Sequence, residues 1–392
     1  MTSDGGLVPP VNLADGLQSA NCAGNFRFGL AKPEDNAELL QFSVRAEMPG
    51  AIRFSFDRSP SYLAALHVEG CHSDVLVCRE NKTGRLVATG QRSVKKVFVN
   101  GDATTVGYLS GLRVEPEFRS ALFLARGYAQ LRALRAGHPA SFDLTTIMED
   151  NLPAKKVLLS NRLGLPDYHD FGRFCCMAFG LHEKHNPVAE TKFSVRRAAP
   201  ADAYDVIEFL HHEGRTKHFF PEYRVEDFGC PGGLLSHLEW NDVFLALRGT
   251  ELAGVLAAWN QQAFRRWRVT GYAPWLRLSR HLINLAARFR QMPLLPPTGL
   301  PLNGFNLALV CIRDSDRTIF RALLDEVIRT KRSHHAFFLA GLHERDPLLP
   351  ELLARPHVSL DSRLYVVDWE NGNRVIQNPD RRRVPYLELG AL

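Results

Sequence analysis

The sequence predicts a mixed α/β protein built from two copies of one unit. Short apolar segments rich in β-branched and aromatic residues alternate with segments whose apolar residues recur at helical spacing. A set of sequence features also appears twice in the same order, first after residue 26 and again after residue 193. At 392 residues the chain is long for one domain, so two domains are expected.

The bulk composition is that of a globular protein. Hydrophobic residues make up 45% of the chain and charged residues 23%, which excludes disordered and fibrous classes. The net charge of +6 suits a protein that handles anionic ligands, and we expect no DNA partner. The seven cysteines form no Cys-x-x-Cys pair, which predicts thiols in a reducing compartment and no metal site. Without a signal peptide or a membrane-spanning run, a cytoplasmic location is predicted.

The first unit is predicted to follow a flexible leader, residues 1–25, and to cover residues 26–181. A strand at Phe26–Ala31 precedes a helix that ends near Arg45, because Pro33 and two acidic residues are typical of a helix start. The later elements are a helix at Pro60–His67, strands on both sides of the turn Asn81–Gly84, a strand at Phe142–Ile147, a helix from Asn151 to about Leu163, and strands around Tyr168 and at Phe174–Gly180.

The second unit, residues 193–370, is predicted to follow a polar linker, residues 182–192, and to precede a tail, residues 371–392. Phe26, Pro33-Glu-Asp35 and Phe42 align with Phe193, Pro200-Ala-Asp202 and Phe209 at a constant offset. Two further matches keep the same order, Asp74-Val-Leu with Asp242-Val-Phe and Phe142-Asp-Leu with Phe337-Phe-Leu. Three ordered matches favour a duplicated unit over coincidence.

Residues 106–134 predict a strand, a short turn and a helix. Leu124, Tyr128, Leu131 and Leu134 fall on one helical face. The turn before them contains Pro116 and the pair Arg119-Ser120. Such a junction leaves free backbone N–H groups and the positive end of a helix dipole, where a phosphate can bind.

This stretch resembles the central motif of the GNAT superfamily of acyl-CoA N-acyltransferases. Val114, Pro116 and Arg119 match the family's Val-x-Pro-x-x-Arg, whereas Leu122 and Leu124 occupy loop positions where the family usually has small residues. The GNAT order of elements also occurs twice along the chain. The resemblance implies two domains, each a mostly antiparallel twisted sheet with a parallel central pair, flanked by helices.

By this resemblance, the first half binds acetyl-CoA or another acyl-CoA as co-substrate. The residues predicted to bind it are Leu112, Arg113, Val114, Arg119, Ser120, Ala121, Leu122, Phe123, Leu124 and Asn151. The backbone of Leu112–Val114 would lie beside the thioester. The corresponding turn of the second half carries Asp314 and Asp316, which would repel a pyrophosphate.

The predicted catalytic residues follow the fifth strand of each half. They are Glu149 and Asn151 in the first half, and His343 and Glu344 in the second. Amide formation needs a neutral amine and a stabilised oxyanion and thiolate, and a carboxylate, a histidine or a water chain could accept the amine proton. The position of the family's usual tyrosine acid holds Leu158. A capping role for Asp150 and a solvated loop at residues 341–347 remain the alternatives.

A basic insertion, residues 264–302, lengthens the second unit. Between residues 264 and 290 it holds seven arginines and no acid. From Leu276 onward it predicts a helix with Leu278, Leu282, Leu285, Ala286 and Phe289 on one side. Three interpretations stay open: a lid over an anionic substrate, a helix lying on a membrane surface or lipid substrate through residues 264–290, and an ordinary surface helix.

The leading functional hypothesis is a tandem N-acyltransferase that passes an acetyl or longer acyl group from CoA to a small-molecule amine. One alternative is a non-catalytic GNAT-like module that binds acyl-CoA or a protein partner. Another is an aminoacyl-tRNA-dependent transferase of the tandem type, which would bind tRNA in a salt-sensitive manner and would not bind CoA.

Overall fold

A computed structural model of the chain describes residues 24–45, 50–160, 164–181, 193–290, 292–369 and 379–392. The predicted linker and most of the predicted leader lie outside these residues. The helices within them are α1 (Asn36–Arg45), α2 (Ala121–Leu134), α3 (Leu152–Leu158), α4 (Ala203–Gly214), α5 (Pro274–Arg290), α6 (Arg317–Lys331) and α7 (Leu349–Leu353).

The described strands belong to both halves of the chain. In the first half they are β1 (Phe26–Leu30), β2 (Ile52–Asp57), β3 (His72–Glu80), β4 (Leu86–Val99), β5 (Asp102–Val114), β6 (Asp143–Met148) and β7 (Asp167–Gly180). In the second they are β8 (Ser194–Arg197), β9 (Phe228–Gly229), β10 (Leu235–Ser236), β11 (Val243–Arg248), β12 (Glu251–Trp259), β13 (Arg266–Tyr272), β14 (Gly304–Ile312), β15 (Phe337–His343), β16 (Val358–Ser359) and β17 (Ser362–Asp368).

Thirteen strands form one sheet that continues through both halves. Its order is β1-β3-β4-β5-β6-β17-β7-β15-β14-β12-β11-β8, with β16 beside β7. Parallel pairing joins β5 to β6 and β14 to β15, and the other described neighbours in this sheet are antiparallel. The predicted fold class, with a parallel central pair in each half, is therefore confirmed.

The two halves exchange strands at their junction. β17, from the second half, lies between β6 and β7 and pairs with both. β7, from the first half, pairs with β15 over seven residues. Strand pairing thus crosses the predicted domain boundaries, which remain a prediction.

The repeat predicted from the sequence has matching local structure. The backbone N–H of Lys32 donates to Asp35 Oδ2 at 2.7 Å, and the N–H of Ala199 donates to Asp202 Oδ2 at 2.8 Å. Each contact lies at a short 3-10 turn that leads into the first helix of its half. Phe42 on α1 and Phe209 on α4 are both buried.

Two predicted elements differ in the structure. Residues 60–67 form turns with a short 3-10 segment at Ala64–Leu66 instead of an α-helix. The Asn36 side chain accepts a hydrogen bond from the N–H of Tyr62 at 2.8 Å, which holds the segment in a turn. The two strands predicted around Tyr168 and at Phe174–Gly180 are a single strand, β7.

No helix among the described residues is long and apolar enough to cross a membrane.

Candidate functional site

The parallel strands β5 and β6 separate soon after they meet. Their register covers only two pairs, Gly107 with Asp143 and Tyr108 with Leu144. Further along, side chains bridge the strands: Thr145 Oγ1 donates to Leu109 O at 2.8 Å, and the hydroxyls of Tyr108 and Thr146 lie 2.8 Å apart. The residues of β5 that follow Leu109 have no register partner on β6, and this end of the pairing is the opening between the two strands.

A β-bulge at Gly111 lies beside this opening. The register of β5 against β4 shifts between Ser110 and Arg113, and Gly111 has a φ of 61°. A Cβ at Gly111 would lie 2.8 Å from the Gln91 side chain, so this position requires glycine. The extra residue of the bulge reverses which side chains face each side of the sheet. After the bulge, Leu112 faces α2, whereas Arg113 lies on the opposite face and donates to Ser43 O on α1.

A buried polar cluster lies behind the bulge. It consists of Arg58, Glu69, Gln91, Ser110 and Arg265. Glu69 is fully buried and accepts hydrogen bonds from Arg58 at 2.6 Å, Gln91 at 2.8 Å, Ser110 at 2.9 Å and Arg265 at 3.3 Å. Arg265 comes from the second half, so the two halves meet at this cluster.

The end of the chain and Lys95 border the polar cluster. Arg265 donates to Gly390 O at 2.8 Å and to Leu392 O at 2.6 Å. Lys95 is buried, and its ammonium lies 5.8 Å from the centre of the Tyr108 ring. Burial lowers the pKa of Lys95 to about 8, although nearby Glu69 and Glu388 oppose this shift. The members of this cluster lie far apart along the chain, so no local sequence pattern predicts it.

An apolar groove lies on the other face of the sheet, between β4, β5 and α2. Its lining includes Phe28, Leu76, Cys78, Ala88, Leu112, Val114, Phe123 and Leu124. Burial raises the pKa of the Cys78 thiol to about 12, so this cysteine is protonated at neutral pH. Four of the predicted cofactor-binding residues, namely Leu112, Val114, Phe123 and Leu124, thus lie together.

The start of α2 is open to solvent. Ser120 is its N-cap and accepts from the N–H of Phe123 at 3.2 Å. Arg119 is exposed, and its Nε donates to Val114 O at 3.0 Å, which closes the turn. The first turn of α2 contains no acidic residue, and Leu122 projects outward with 68% of its surface exposed. These features suit an anion at the helix start.

Glu149 and Asn151 have structural partners. Glu149 forms ion pairs with Lys155 and with Arg363 Nε, the latter at 2.9 Å. The hydrogen bond from Lys155 is the largest cause that lowers the pKa of Glu149, which makes this carboxylate a weak base. Asn151 Oδ1 accepts from the N–H of Ala154 at 3.2 Å and caps α3. The hydrogen bond of the Asn151 side chain is therefore used to cap α3, the helix that Asn151 precedes.

His343 and Glu344 also contact backbone. His343 is buried, with Nε2 2.8 Å from Phe171 O and Nδ1 accepting from the N–H of Arg345 at 3.2 Å. These partners fit a neutral imidazole, and burial lowers its pKa. Glu344 accepts from the N–H of Arg173 at 3.1 Å. Strand register places Met148, Ser362, Phe174 and His343 in one row of the sheet. Because β6 and β15 run in opposite directions, Glu149 and Glu344 leave this row in opposite directions, next to Asp361 and Arg173 respectively.

The second half has an equivalent bulge whose backbone amide is bound by a side chain of the protein itself. The register of β14 against β12 shifts next to Leu309, whose φ is 52°. The N–H of Leu309 donates to the buried Glu388 at 3.0 Å. At the following helix, Asp316 Oδ1 accepts from the N–H of Thr318 at 2.8 Å and from that of Ile319 at 3.3 Å. In the second half, carboxylates of the chain therefore accept from the bulge amide and from the first turn of the following helix.

Among the residues that the structure covers, no group of three or more His, Cys, Asp and Glu side chains is placed to hold a metal ion.

Solved structures with a similar fold include N-acyltransferases. N-myristoyltransferase from Saccharomyces cerevisiae with bound myristoyl-CoA aligns with a TM-score of 0.56 and 10% identity, over 93% of this chain and 85% of that one. A second structure of the yeast enzyme with myristoyl-CoA aligns with a TM-score of 0.55 and 12% identity, over 93% of this chain and 90% of that one. The structure with the glucosamine N-acetyltransferase region of a fungal multi-domain β-N-acetylglucosaminidase aligns with a TM-score of 0.57 and 12% identity. The alignment covers 88% of this chain but only 38% of that one.

No protein-family profile and no curated protein sequence matches this chain. The structural likeness shows the fold, which is the GNAT fold in its tandem form. The resemblance predicted from the sequence is confirmed at this level.

Proposed function

We propose that this protein is an N-acyltransferase that moves an acyl group from a CoA thioester to an amine. The observation that carries the proposal is the opening between β5 and β6 beside Gly111, followed by the uncovered start of α2. The yeast N-myristoyltransferase, which shares this tandem fold, was solved with myristoyl-CoA bound.

The donor is proposed to lie along the first half. The pyrophosphate contacts Arg119 and the backbone of residues 120–124 at the start of α2. The thioester carbonyl lies beside Leu112–Val114, where backbone N–H groups stabilise the oxyanion. The acyl chain is proposed to lie at the mouth of the apolar groove, where Leu112 and Leu124 offer hydrocarbon contact to a chain longer than acetyl.

The reaction forms one C–N bond and breaks one C–S bond. The neutral amine attacks the thioester carbonyl, the tetrahedral intermediate collapses, and CoA leaves as a thiolate. The proton lost by the amine reaches the sulfur through the catalytic groups or water, giving an amide and free CoA. The proposed acceptor is a small-molecule amine.

The second half is proposed to support the site instead of binding a donor. Glu388 already accepts from the bulge amide of Leu309, and Asp316 already caps the following helix. Anionic CoA would have to displace both carboxylates. Arg265 links this half to the polar cluster behind the donor site.

The four predicted catalytic residues remain proposals with unequal support. Asn151 caps α3 and His343 holds two backbone groups, which suits positioning more than proton transfer. Glu149 and Glu344 keep partly exposed carboxylates, but each is held near an arginine. A proton-accepting role would require these ion pairs to open. The ion pairs are the observation that favours the alternative of a non-catalytic acyl-CoA-binding module.

Thermal unfolding with CoA, acetyl-CoA and a long-chain acyl-CoA tests the donor site. A ligand at about 100 times its dissociation constant stabilises the folded chain by roughly 2.7 kcal/mol. We expect the largest shift with the long chain and a smaller shift for Arg119→Ala. Arg332→Ala, an exposed arginine at the end of α6, is the matched control.

Turnover of bound acyl-CoA across a panel of amines then separates enzyme from binding module. Binding without turnover would support the module. No shift with any thioester or with CoA would overturn the donor site, and salt-sensitive binding of tRNA would then favour the tRNA-dependent alternative.

A further inference from the structure

Helix α5 presents an apolar face that the rest of the described chain does not cover. The side chains on this face recur every three or four residues and are 54–83% exposed. They form the exposed stripe, made of Trp275, Leu278, Leu282, Leu285 and Phe289. With 3.6 residues per turn, this spacing places all five on one side of a helix about 25 Å long.

The opposite side of α5 attaches the helix to the protein. Leu276 and Ala287 are buried there, and Leu276 packs with Val269 and Tyr272. The Asn284 side chain exchanges two hydrogen bonds with the backbone of Leu295, at 2.8 and 3.0 Å. Arg280 donates to Pro296 O at 2.9 Å. The helix is therefore anchored without its exposed stripe, which leaves the stripe available to a partner.

The ionisable side chains of α5 beside the exposed stripe are all basic. Arg277, His281 and Arg288 are exposed along one flank of the stripe. The sequence contains no acidic residue between Glu251 and Asp314, so nothing within α5 neutralises this flank. Within the described ranges, Arg277 and Arg288 take part in no ion pair. A surface that combines large apolar side chains with uncompensated arginines fits a layer that is anionic outside and apolar beneath.

The same charges disfavour a second copy of the helix as the partner. The 3-4 spacing of the stripe would permit coiled-coil pairing, but Arg288 lies at a flanking position with no acid to meet it. Two such helices would bring like charges together. An anionic lipid headgroup layer supplies the opposite charge that another copy lacks.

We propose that α5 docks this protein onto the surface of an anionic lipid membrane. The exposed stripe enters the boundary between headgroups and acyl chains, with Trp275 at one end and Phe289 at the other. Arg277 and Arg288 contact lipid phosphates or carboxylates at the headgroup level. The helix lies in the plane of the surface. This inference is independent of acyl transfer, because it concerns only α5 and its attachment.

Sedimentation of the full chain with lipid vesicles tests the proposal in the absence of any thioester. We expect binding to phosphatidylcholine vesicles that contain phosphatidylserine, weaker binding to phosphatidylcholine alone, and loss of the difference at high salt. Leu282→Asn with Phe289→Asn should weaken binding by at least about tenfold, because two exposed anchors no longer enter the lipid.

A matched control and a charge variant sharpen the test. Tyr204→Asn with Leu353→Asn changes two exposed apolar side chains on other helices and should leave binding unchanged. Arg277→Gln with Arg288→Gln should abolish the preference for phosphatidylserine. All of these side chains are exposed, so the variants should keep the thermal midpoint of the parent.

Four outcomes would overturn the proposal. They are no vesicle binding, equal binding to both vesicle types at low salt, equal losses in the stripe variant and its control, and a dimer in solution that the stripe variant alone dissociates.

Discussion

Gly111 sets the geometry of the proposed donor site through its backbone. Its φ of 61° lies in the left-handed region, and a Cβ would contact Gln91, a member of the polar cluster. Gly111→Ala should therefore displace the bulge and lower kcat/KM for acyl transfer by at least about tenfold, since small misplacements of reacting groups are costly. Steady-state kinetics with the preferred thioester measure this effect.

Gly249→Ala is the matched control for that variant. Gly249 has nearly the same φ, 63°, but a Cβ there would meet no atom within 4 Å. Both variants should lose about 1–2 kcal/mol of stability from backbone strain, and Gly111→Ala should lose more because its Cβ also crowds Gln91. Equal effects on turnover would show that the bulge has no part in the reaction.

Lys95 should give stability a distinctive pH dependence. Burial lowers its pKa from 10.5 to about 8 in the folded chain. Between these values the unfolded chain binds more protons, so stability rises with pH across this window, by up to about 3 kcal/mol. Below pH 8 the buried ammonium destabilises the fold fully, and Lys95→Met should be more stable than the parent there.

Urea unfolding from pH 7 to pH 10.5 measures this difference. Lys96→Met is the control, because Lys96 is the exposed neighbour on the same strand. A parent and a Lys95→Met variant with parallel pH profiles would contradict the assignment of this shift to Lys95.

At the scale of elements, the two central helices differ in how their first turns are capped. Asp316 accepts from two backbone amides of α6, whereas Ser120 accepts from one amide of α2. Asp316→Ala should cost about 1 kcal/mol of unfolding free energy, and Asp316→Asn much less, because asparagine is also a good N-cap. The exposed ion pair of Asp316 with Arg248 contributes little.

Acyl-CoA affinity gives this prediction a second readout. If the donor binds the first half, both Asp316 variants should keep the parent's dissociation constant. Tighter binding by Asp316→Ala would instead indicate a donor site at the start of α6.

The sequence predicted those elements whose signals are local. The helical spacing of Leu124, Tyr128, Leu131 and Leu134 matches α2, and the repeat around Pro33 and Pro200 has the same turn in both halves. The helix predicted for residues 60–67 was wrong because the turn formed there depends on the side chain of Asn36, more than 20 residues earlier. The spacing of apolar residues within a segment carries no information about such a distant contact.

At the scale of the whole molecule, the exchanged strand β17 makes the first half dependent on the second. Residues 24–181 expressed alone would leave β6 and β7 without the strand between them, exposing two sheet edges. We expect this fragment to aggregate or remain unfolded, and to become soluble when co-expressed with residues 193–392. Circular dichroism and sedimentation of each fragment test this, and cooperative unfolding of the isolated fragment would contradict it.

The same long-range relations limited what the sequence could show of the site. Arg265 belongs to the basic insertion, yet it is buried beside Glu69 of the first half. Arg266 and Arg268 pair with Asp57 through the β2–β13 ribbon. The sequence shows that this segment is rich in arginine. Only the tertiary structure distinguishes the arginines that pair with buried carboxylates from those on α5 that face solvent.

The position of β17 also affects how the chain folds during its synthesis. β7 ends at Gly180, but the strand that joins it to β6 begins only at Ser362. A growing chain would carry an incomplete first sheet while the whole second half is translated, in contrast to the usual N-terminal-first order of domain folding. Pairing over such sequence separation is also slow. The nascent protein therefore exposes β6 and β7 during much of its translation, when protection by a chaperone would matter most.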